Sequence, residues 1–421
     1  MTNPEPTHTS SPWAVTTIVV SMAFVALSNG LMFAYLPVRL ASLGFEPWVS
    51  GAAVTSMGMG GLIGCFVAGP IIKRVSHARA FTFFGTLIVL SMLAVTIPGS
   101  AWLWIAARTA YGVSATGLFV VTQSWLNDAS SNETRGRVIA TFYMTYVLSI
   151  GAGGFSLRYI PLEGPMAAIL CAAVSAIAML PVSMTRLRTP PPPEAIHIAI
   201  RSVWAISPVG LVGLFAVGGL TMLVQGFAPI YAAVIGYGKN DIAMLFFLMQ
   251  FGMLAVQLPL GALSDRIDRR YVLIISCVLV IACASVASMV TTISFFGWLL
   301  VFALWSGATE AIFAVANAHA NDRAEPQYYV SLSSTLLVAW SVSGIVLPGI
   351  ATALTDSVGP RAFMYLAMVV ATLYALFVAY RIRERDQPPE EDTEPYQPIT
   401  AQAPHSTELA PQPEEESSGT G

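Results

Sequence analysis

The sequence predicts an all-α membrane protein of twelve transmembrane helices, arranged as two pseudo-symmetric six-helix bundles. Its composition, its recurring apolar runs and an internal repeat all point that way. Hydrophobic residues make up 55% of the 421 and charged residues only 10%, whereas a soluble domain carries about a quarter charged residues. Such a chain cannot cover its surface with polar groups in water, so lipid is its solvent.

A hydrocarbon core of about 30 Å needs about 20 apolar residues per helix. Runs of that length recur near 14–37, 48–72, 80–97, 101–126, 138–159, 165–184, 206–235, 241–263, 271–290, 295–320, 330–354 and 361–380. Gly58, Gly60, Gly61 and Gly64, and Pro37, Pro229, Pro259 and Pro348, fall inside them. Such residues are tolerated where neighbouring helices re-satisfy the backbone, and the small ones allow close approach. The first run follows no basic segment and is too long for a signal peptide, so it reads as an uncleaved span.

Basic residues orient the spans. With the N-terminus inside, Lys73, Arg74, Arg79, Arg135, Arg137, Arg186, Arg188, Arg201, Arg266, Arg269, Arg270, Arg323, Arg381, Arg383 and Arg385 are cytoplasmic. Arg39, Arg158, Lys239 and Arg361 are outside, and Arg108 lies within a span. That bias predicts cytoplasmic termini. Trp13, Trp48, Trp102 and Trp298 near span ends read as interfacial anchors.

The widest polar break carries Pro190–Pro193 and splits the chain. The expected units are a cytoplasmic segment (1–13), a first bundle (14–186), a Pro-rich linker (187–205), a second bundle (206–383) and a tail (384–421). After Asp386 come eight acids and no Lys or Arg, and removing them from the formal −3 leaves +5 for residues 1–386. The body is therefore basic, and the acidic, Pro-rich tail is expected to be disordered.

The two halves repeat at a nearly constant offset. Residues 36–45 (LPVRLASLGF) align with 228–237 (APIYAAVIGY) at offset 192, matching Pro37 to Pro229 and Gly44 to Gly236. Residues 69–74 align with 261–266 at the same offset, and 117–128 with 311–322 at 194, both of the latter ending in Asn-Asp. Parallel six-helix repeats of this kind place a binding site near the membrane midplane, between the halves.

Four local motifs accompany that repeat. Gly261-Ala-Leu-Ser-Asp265-Arg266-Ile-Asp268-Arg269-Arg270 follows the second span of the second half, and Gly69-Pro-Ile-Ile-Lys73-Arg74 follows that of the first. Arg108-Thr-Ala-Tyr-Gly112 lies in the fourth span, and Glu133-Thr-Arg135-Gly136-Arg137 precedes the fifth. Over residues ~14–383 the chain resembles the major facilitator superfamily, in a bacterial branch of uncharacterised permeases. The first-half loop departs from the family pattern, with Lys73 where Asp is usual. Gly151-Ala-Gly153-Gly154 lacks the proline of proton-driven drug exporters, which lowers an efflux reading. The resemblance implies a cytoplasmic latch built on Gly261, Asp265, Arg266 and Arg270 with Gly69, Lys73 and Arg74, and it gives Arg108 a part in gating or proton handling.

Charges inside a membrane cost about 2.5–3.5 kcal/mol each on insertion scales, so each asks for a reason. Glu310 falls near the middle of the tenth span, where a carboxyl can exchange a proton in step with a conformational switch, anchor a solute or merely pack. Asn317, seven residues on, shares its face. Asn29, Gln123 and Gln225 are neutral groups that can touch a ligand or bond helix to helix. Gln250, Gln257 and His319 are weaker candidates, and the alternative reading of Arg108 is a side chain that snorkels to the outer interface.

The expected function is secondary active transport of a small organic solute, proton-coupled, by alternating access. The alternatives are a drug or metabolite exporter and a non-transporting sensor or scaffold on the same fold. The sequence lacks a phosphate-binding GxxxxGK[ST] loop, an HExxH motif and a clustered His/Cys set, so neither an enzyme nor a cofactor or metal is expected. Expected partners are the solute, protons and the lipid bilayer of a bacterial inner membrane. Nucleic acid is not expected, and the chain is expected to be a monomer.

Overall fold

The computed structural model describes residues 12–97, 100–130, 134–185, 190–191, 196–289 and 294–384. The segment before residue 12, Glu133, Arg186, Arg188, Pro192, Pro193, Arg385 and the acidic tail lie outside the described residues.

The first half comprises α1 (Pro12–Ser42), α2 (Pro47–Val75), α3 (His77–Ala94), α4 (Ala101–Asp128), α5 (Arg135–Ser156), α6 (Met166–Ile177) and α7 (Met179–Met184). A short α8 (Ile200–Ile206) ends the linker. The second half comprises α9 (Pro208–Val234), α10 (Lys239–Ser264), α11 (Arg269–Ser288), α12 (Phe295–Asn321), α13 (Tyr329–Val358) and α14 (Ala362–Glu384). Among the described residues there is no strand. Eleven spans are long and apolar enough to cross a membrane, α6 and α7 counting as one broken span. The twelfth expected span, α4, is 28 residues long, but Arg108 and a series of hydroxyl and amide side chains make it less apolar.

Helix ends follow local chemistry that repeats between halves. Ser100 and Ser294, 194 apart, are N-caps whose hydroxyls accept from Leu103 N–H and Gly297 N–H, satisfying donors that have no intrahelical partner. Pro47 and Pro208 occupy first-turn positions, where the missing N–H costs nothing. Gly44 and Gly236 end α1 and α9 with φ of +76° and +94°, a left-handed conformation open to glycine without strain.

Packing repeats as well. Within the halves, α2 lies along α4 as α10 lies along α12, and α1 along α5 as α9 along α13. A Cβ at Gly60 would stand 2.0 Å from the Thr109 carbonyl oxygen, and one at Gly252 would stand 2.2 Å from that of Ala303. These glycines are equivalent at offset 192, and each lets two backbones touch. Each half buries its own apolar core, Ala243 of the second half joins the core of the first, and the halves exchange residues at one equivalent position. Val54 packs in the second-half core, and Phe246, 192 residues on, packs in the first.

Between halves, α2 packs on α13 and α5 on α10. The glycine-mediated contacts run from mid-helix to the face opposite Pro12 and Glu384. A Cβ at Gly51 would meet Thr352 Oγ1 at 2.3 Å, one at Gly58 the Gly344 carbonyl oxygen at 2.9 Å, and one at Gly154 the Phe246 ring at 2.4 Å. Lys239 Nζ donates to the Ile160 carbonyl at 2.8 Å on that same face.

Trp13 and Trp102 are exposed at helix ends, 78% and 72% respectively, as anchors should be. Trp298 corrects the expectation: it is buried, between Phe302 (4.7 Å between centroids) and Tyr237 (5.2 Å). Its place near a helix end suggested an interface, but α12 is enclosed by other helices along most of its length.

Candidate functional site: a midplane cavity shared by both halves

Midway along the helices lies a cavity of about 820 Å³ including its mouth. The first half lines it with Asn29 and Phe33 of α1, Met57, Gly58 and Gly61 of α2, four residues of α4, and Tyr146 and Ile150 of α5. The second half adds Thr221, Met222 and Gln225 of α9, Phe246 of α10, and Trp340, Ser341 and Gly344 of α13. The wall is apolar and aromatic with a few fixed polar groups, the usual make-up of a small-molecule site.

Of the sequence candidates, Asn29 and Gln225 line this space. Asn29 Oδ1 is buried without a hydrogen-bond partner, so one acceptor stands ready in the wall. Gln225 is held in an amide cluster. Its Oε1 accepts from Gln250 Nε2 at 2.7 Å, and its Nε2 donates to Ser306 Oγ at 3.2 Å. Gln225 thus joins α9 to α10 and α12 while it faces the cavity.

On α4 the lining residues are Gly112, Ala115, Thr116 and Phe119, the spacing of one helical face. Arg108, one turn before Gly112, continues that face away from the α4 C-terminus. It is 3% exposed. Its guanidinium stands 5.1 Å from the Phe33 ring centroid and 4.8 Å from that of Tyr111, and Nη2 donates to Met57 Sδ at 2.8 Å. Nε and Nη1 have no hydrogen-bond partner, so the side chain does not reach an interface. Phe33 and Met57 stand between it and the cavity. Gln123 lies further along α4, where it donates to the Tyr143 hydroxyl at 3.0 Å as a link between α4 and α5, outside the cavity lining.

Glu310 is 1% exposed on α12 and does not line the cavity. At offset 194 it is the counterpart of Thr116, which does. In the second half the Gln225–Ser306 bond occupies the intervening layer, one turn from Glu310. Asn317 shares the Glu310 face as spacing predicts, but its Nδ2 donates to the Phe313 carbonyl at 3.1 Å, which turns the amide onto its own helix.

The loop after α10 forms ion pairs within its own half. Asp265 pairs with Arg269 at 3.9 Å, Arg269 with Asp322 at 2.6 Å, and Arg270 with Asp268 at 2.6 Å. The Arg269–Asp322 pair ties the start of α11 to the end of α12. Burial alone would raise the Asp268 carboxyl, but hydrogen bonds from the Arg270 side chain and backbone, with its charge, hold it below the usual value. In the first half the counterpart of Arg269 is His77, whose Nε2 lies 3.0 Å from Ser124 Oγ. Gly261 is buried at the end of α10, Gly69 is half-buried, and Arg266, Lys73 and Arg74 are exposed. Lys73 and Arg74 sit in the last turn of α2, where positive charge complements the helix dipole.

The sequence reading overlooked Thr221, Trp340, Tyr146, Phe33 and Met57. The repeat held the signal for several of them. Offset 192 carries Asn29 to Thr221 and Phe33 to Gln225, and offset 194 carries Tyr146 to Trp340 and Ile150 to Gly344. All eight line the cavity.

The profile of the Major Facilitator Superfamily matches residues 18–240 and again 209–411. An uncharacterized MFS-type transporter of Enterobacter sp. (strain 638) is 21% identical over 380 residues, 88% of this chain and 96% of that one. The uncharacterized MFS-type transporter YfkF of Bacillus subtilis (strain 168) is 24% identical over 265 residues, 61% of this chain and 68% of that one. Among solved structures, the nucleoside transporter NupG superposes with a TM-score of 0.69 at 13% identity, covering 88% of this chain and 99% of its own. The human organic anion transporter MFSD10 gives 0.58 at 14% identity, covering 87% and 100%. With both halves matched and the repeat, packing and central cavity in place, the chain belongs to the major facilitator superfamily.

Proposed function

We propose that the protein is a secondary active transporter of a small organic solute, working by alternating access in a bacterial inner membrane with both termini cytoplasmic. The observation that carries this reading is the midplane cavity lined by both halves. A site divided between two separately packed bodies is exposed to one side or the other when they rock. With cytoplasmic termini, the glycine-packed ends of α2, α13, α5 and α10 are the outer ends, so this conformation is closed outward. Glu310, buried in the adjacent layer, supplies the proton coupling. The cavity favours transport over a sensor or scaffold that would act through its tail, and no enzymatic step is called for.

The test is access to the cavity from each side. A single cysteine at Thr221, in a variant whose four natural cysteines are replaced, is exposed to membrane-impermeant maleimide in vesicles of either orientation. Labelling is expected from both sides. A Gly51→Cys/Thr352→Cys cross-link should abolish labelling from the outside and leave that from the inside. Labelling from one side alone, without the cross-link, refutes alternating access.

A further inference from the structure

We propose that Arg108 is the recognition group for the solute, and that the solute is an organic anion with a flat, apolar body. This rests on the transport reading of the cavity.

Arg108 is a buried cation with no counter-charge. Ion pairs among the described residues include Arg269–Asp265, Arg269–Asp322, Arg270–Asp268 and Arg381–Glu384, and none of these engages Arg108. Two of its three guanidinium nitrogens lack any hydrogen-bond partner, and its remaining contacts are the Phe33 and Tyr111 rings and a thioether. A desolvated charge held this way is costly unless something arrives to pair with it.

The fold does not require the charge. At offset 194 the counterpart of Arg108 is Phe302, which fills the same position in the second half by stacking with Trp305 at 5.5 Å between centroids. An aromatic side chain completes the packing there, so the guanidinium answers to something besides packing.

Its placement points to the cavity. Arg108 lies on the α4 face that lines the cavity one turn on, and the two groups that cover it, Phe33 and Met57, are themselves cavity wall. A rotamer change in the flexible Met57 side chain frees Nη2, which together with the unpartnered Nη1 or Nε presents an open edge of the guanidinium to an incoming oxyanion. A guanidinium presents a planar fork that matches a carboxylate with two parallel hydrogen bonds. The Phe33–Phe246 pair, stacked at 5.9 Å across the two halves, offers flat apolar surface beside it for the rest of the solute. An anion bound there touches both halves at once.

The test uses the purified full chain and three probes of one shape: 2-naphthoate, its neutral carboxamide and 2-naphthylmethylammonium. Equilibrium binding is followed by calorimetry and thermal shift. The carboxylate is expected to bind at least tenfold more tightly than the carboxamide, and the ammonium not at all. Arg108→Gln should bring the carboxylate to the level of the carboxamide, and Arg108→Lys should keep part of the preference. Equal binding of carboxylate and carboxamide overturns the proposal, as do a preference for the ammonium, an undiminished preference in Arg108→Gln or the binding of none of the three. If Arg108→Gln does not fold, the wild-type ratio and Arg108→Lys decide. Two-sided labelling at Thr221 without anion preference leaves a transporter of another class. Anion preference with one-sided labelling leaves a binding protein that does not alternate.

Discussion

Two glycines on α2, two residues apart, should respond to the same substitution in opposite ways. Gly58 faces α13 in the other half, where an added Cβ would lie 2.9 Å from the Gly344 carbonyl oxygen and 3.3 Å from its carbon. Restoring ordinary contact moves α13 by about half an ångström, and overpacking of this kind costs about 1–3 kcal/mol. A single contact belongs at the lower end, about 1–2 kcal/mol, which shifts a two-state equilibrium by a factor of about 5–30. If the proposed rocking parts α2 from α13, the cost falls on the outward-closed conformation alone. Gly60 faces α4 in its own half, and its Cβ would stand 2.0 Å from the Thr109 carbonyl oxygen in a contact that persists in either conformation. That cost falls on the fold. With the Thr221→Cys reporter, Gly58→Ala should accelerate labelling from the outside by about 5–30-fold and leave the Tm little changed. Gly60→Ala should lower the Tm by several degrees and leave the relative access unchanged. If Gly58→Ala lowers the Tm as Gly60→Ala does while labelling stays constant, the α2–α13 contact belongs to the fold and not to a moving seam.

Removing one partner of a buried ion pair leaves the other uncompensated at a cost of about 3–5 kcal/mol, and Arg269 and Asp322 are both buried. Arg269→Ala should therefore depress thermal stability sharply, while an Arg269→Leu/Asp322→Leu double variant should recover most of it. Asp268 is held below its ordinary carboxylate value in the folded protein. Its stabilisation is thus present above the unfolded value of 3.8 and lost as pH falls through the folded one. Asp268→Asn should lower the Tm at neutral pH, and the difference from the wild type should vanish in strong acid. If Glu310 couples protons to alternation, Glu310→Gln should remove the pH dependence of the ratio of outside to inside Thr221→Cys labelling, a ratio in which the thiolate fraction cancels, and an unchanged dependence of that ratio would exclude it.

The helices were legible in the sequence because lipid leaves few choices. Every backbone group must bond within its own segment, so apolar length and the break at Pro190 carry most of the architecture. The repeat was legible because Pro37, Pro229 and the glycines obey local rules that both halves share. The sixth span's break at Ala178 and the lower hydropathy of α4 were not, since helix packing, and not span composition, holds both in place. The cavity was half legible. Asn29 and Gln225 stood out as polar groups in apolar runs, whereas Trp340 and Phe33 look like any core residue until a second helix places them. Glu310 drew notice by its charge, yet a side chain's depth along a helix says nothing of its azimuth, and it faces a filled layer.

That filled layer is where the halves diverge, although they share a register. Along α4, Gly112, Ala115, Thr116 and Phe119 form open cavity wall. Their counterparts at offset 194 on α12 are Ser306, Thr309, Glu310 and Phe313, all buried. Larger polar residues have replaced small ones at the first three of these positions, and the Gln225–Ser306 bond closes over them. Arg108 and Phe302 are exchanged in the opposite sense, cation for aromatic. Neither exchange is needed to pack a six-helix bundle, since each half packs without the other's residue at the matching position. A symmetric pair of halves would present the same chemistry on both walls. Here the cation sits behind the first-half wall and the buried carboxyl behind the second, so a bound anion and a bound proton would bear on different bodies. Rocking those bodies against each other is what would couple the two.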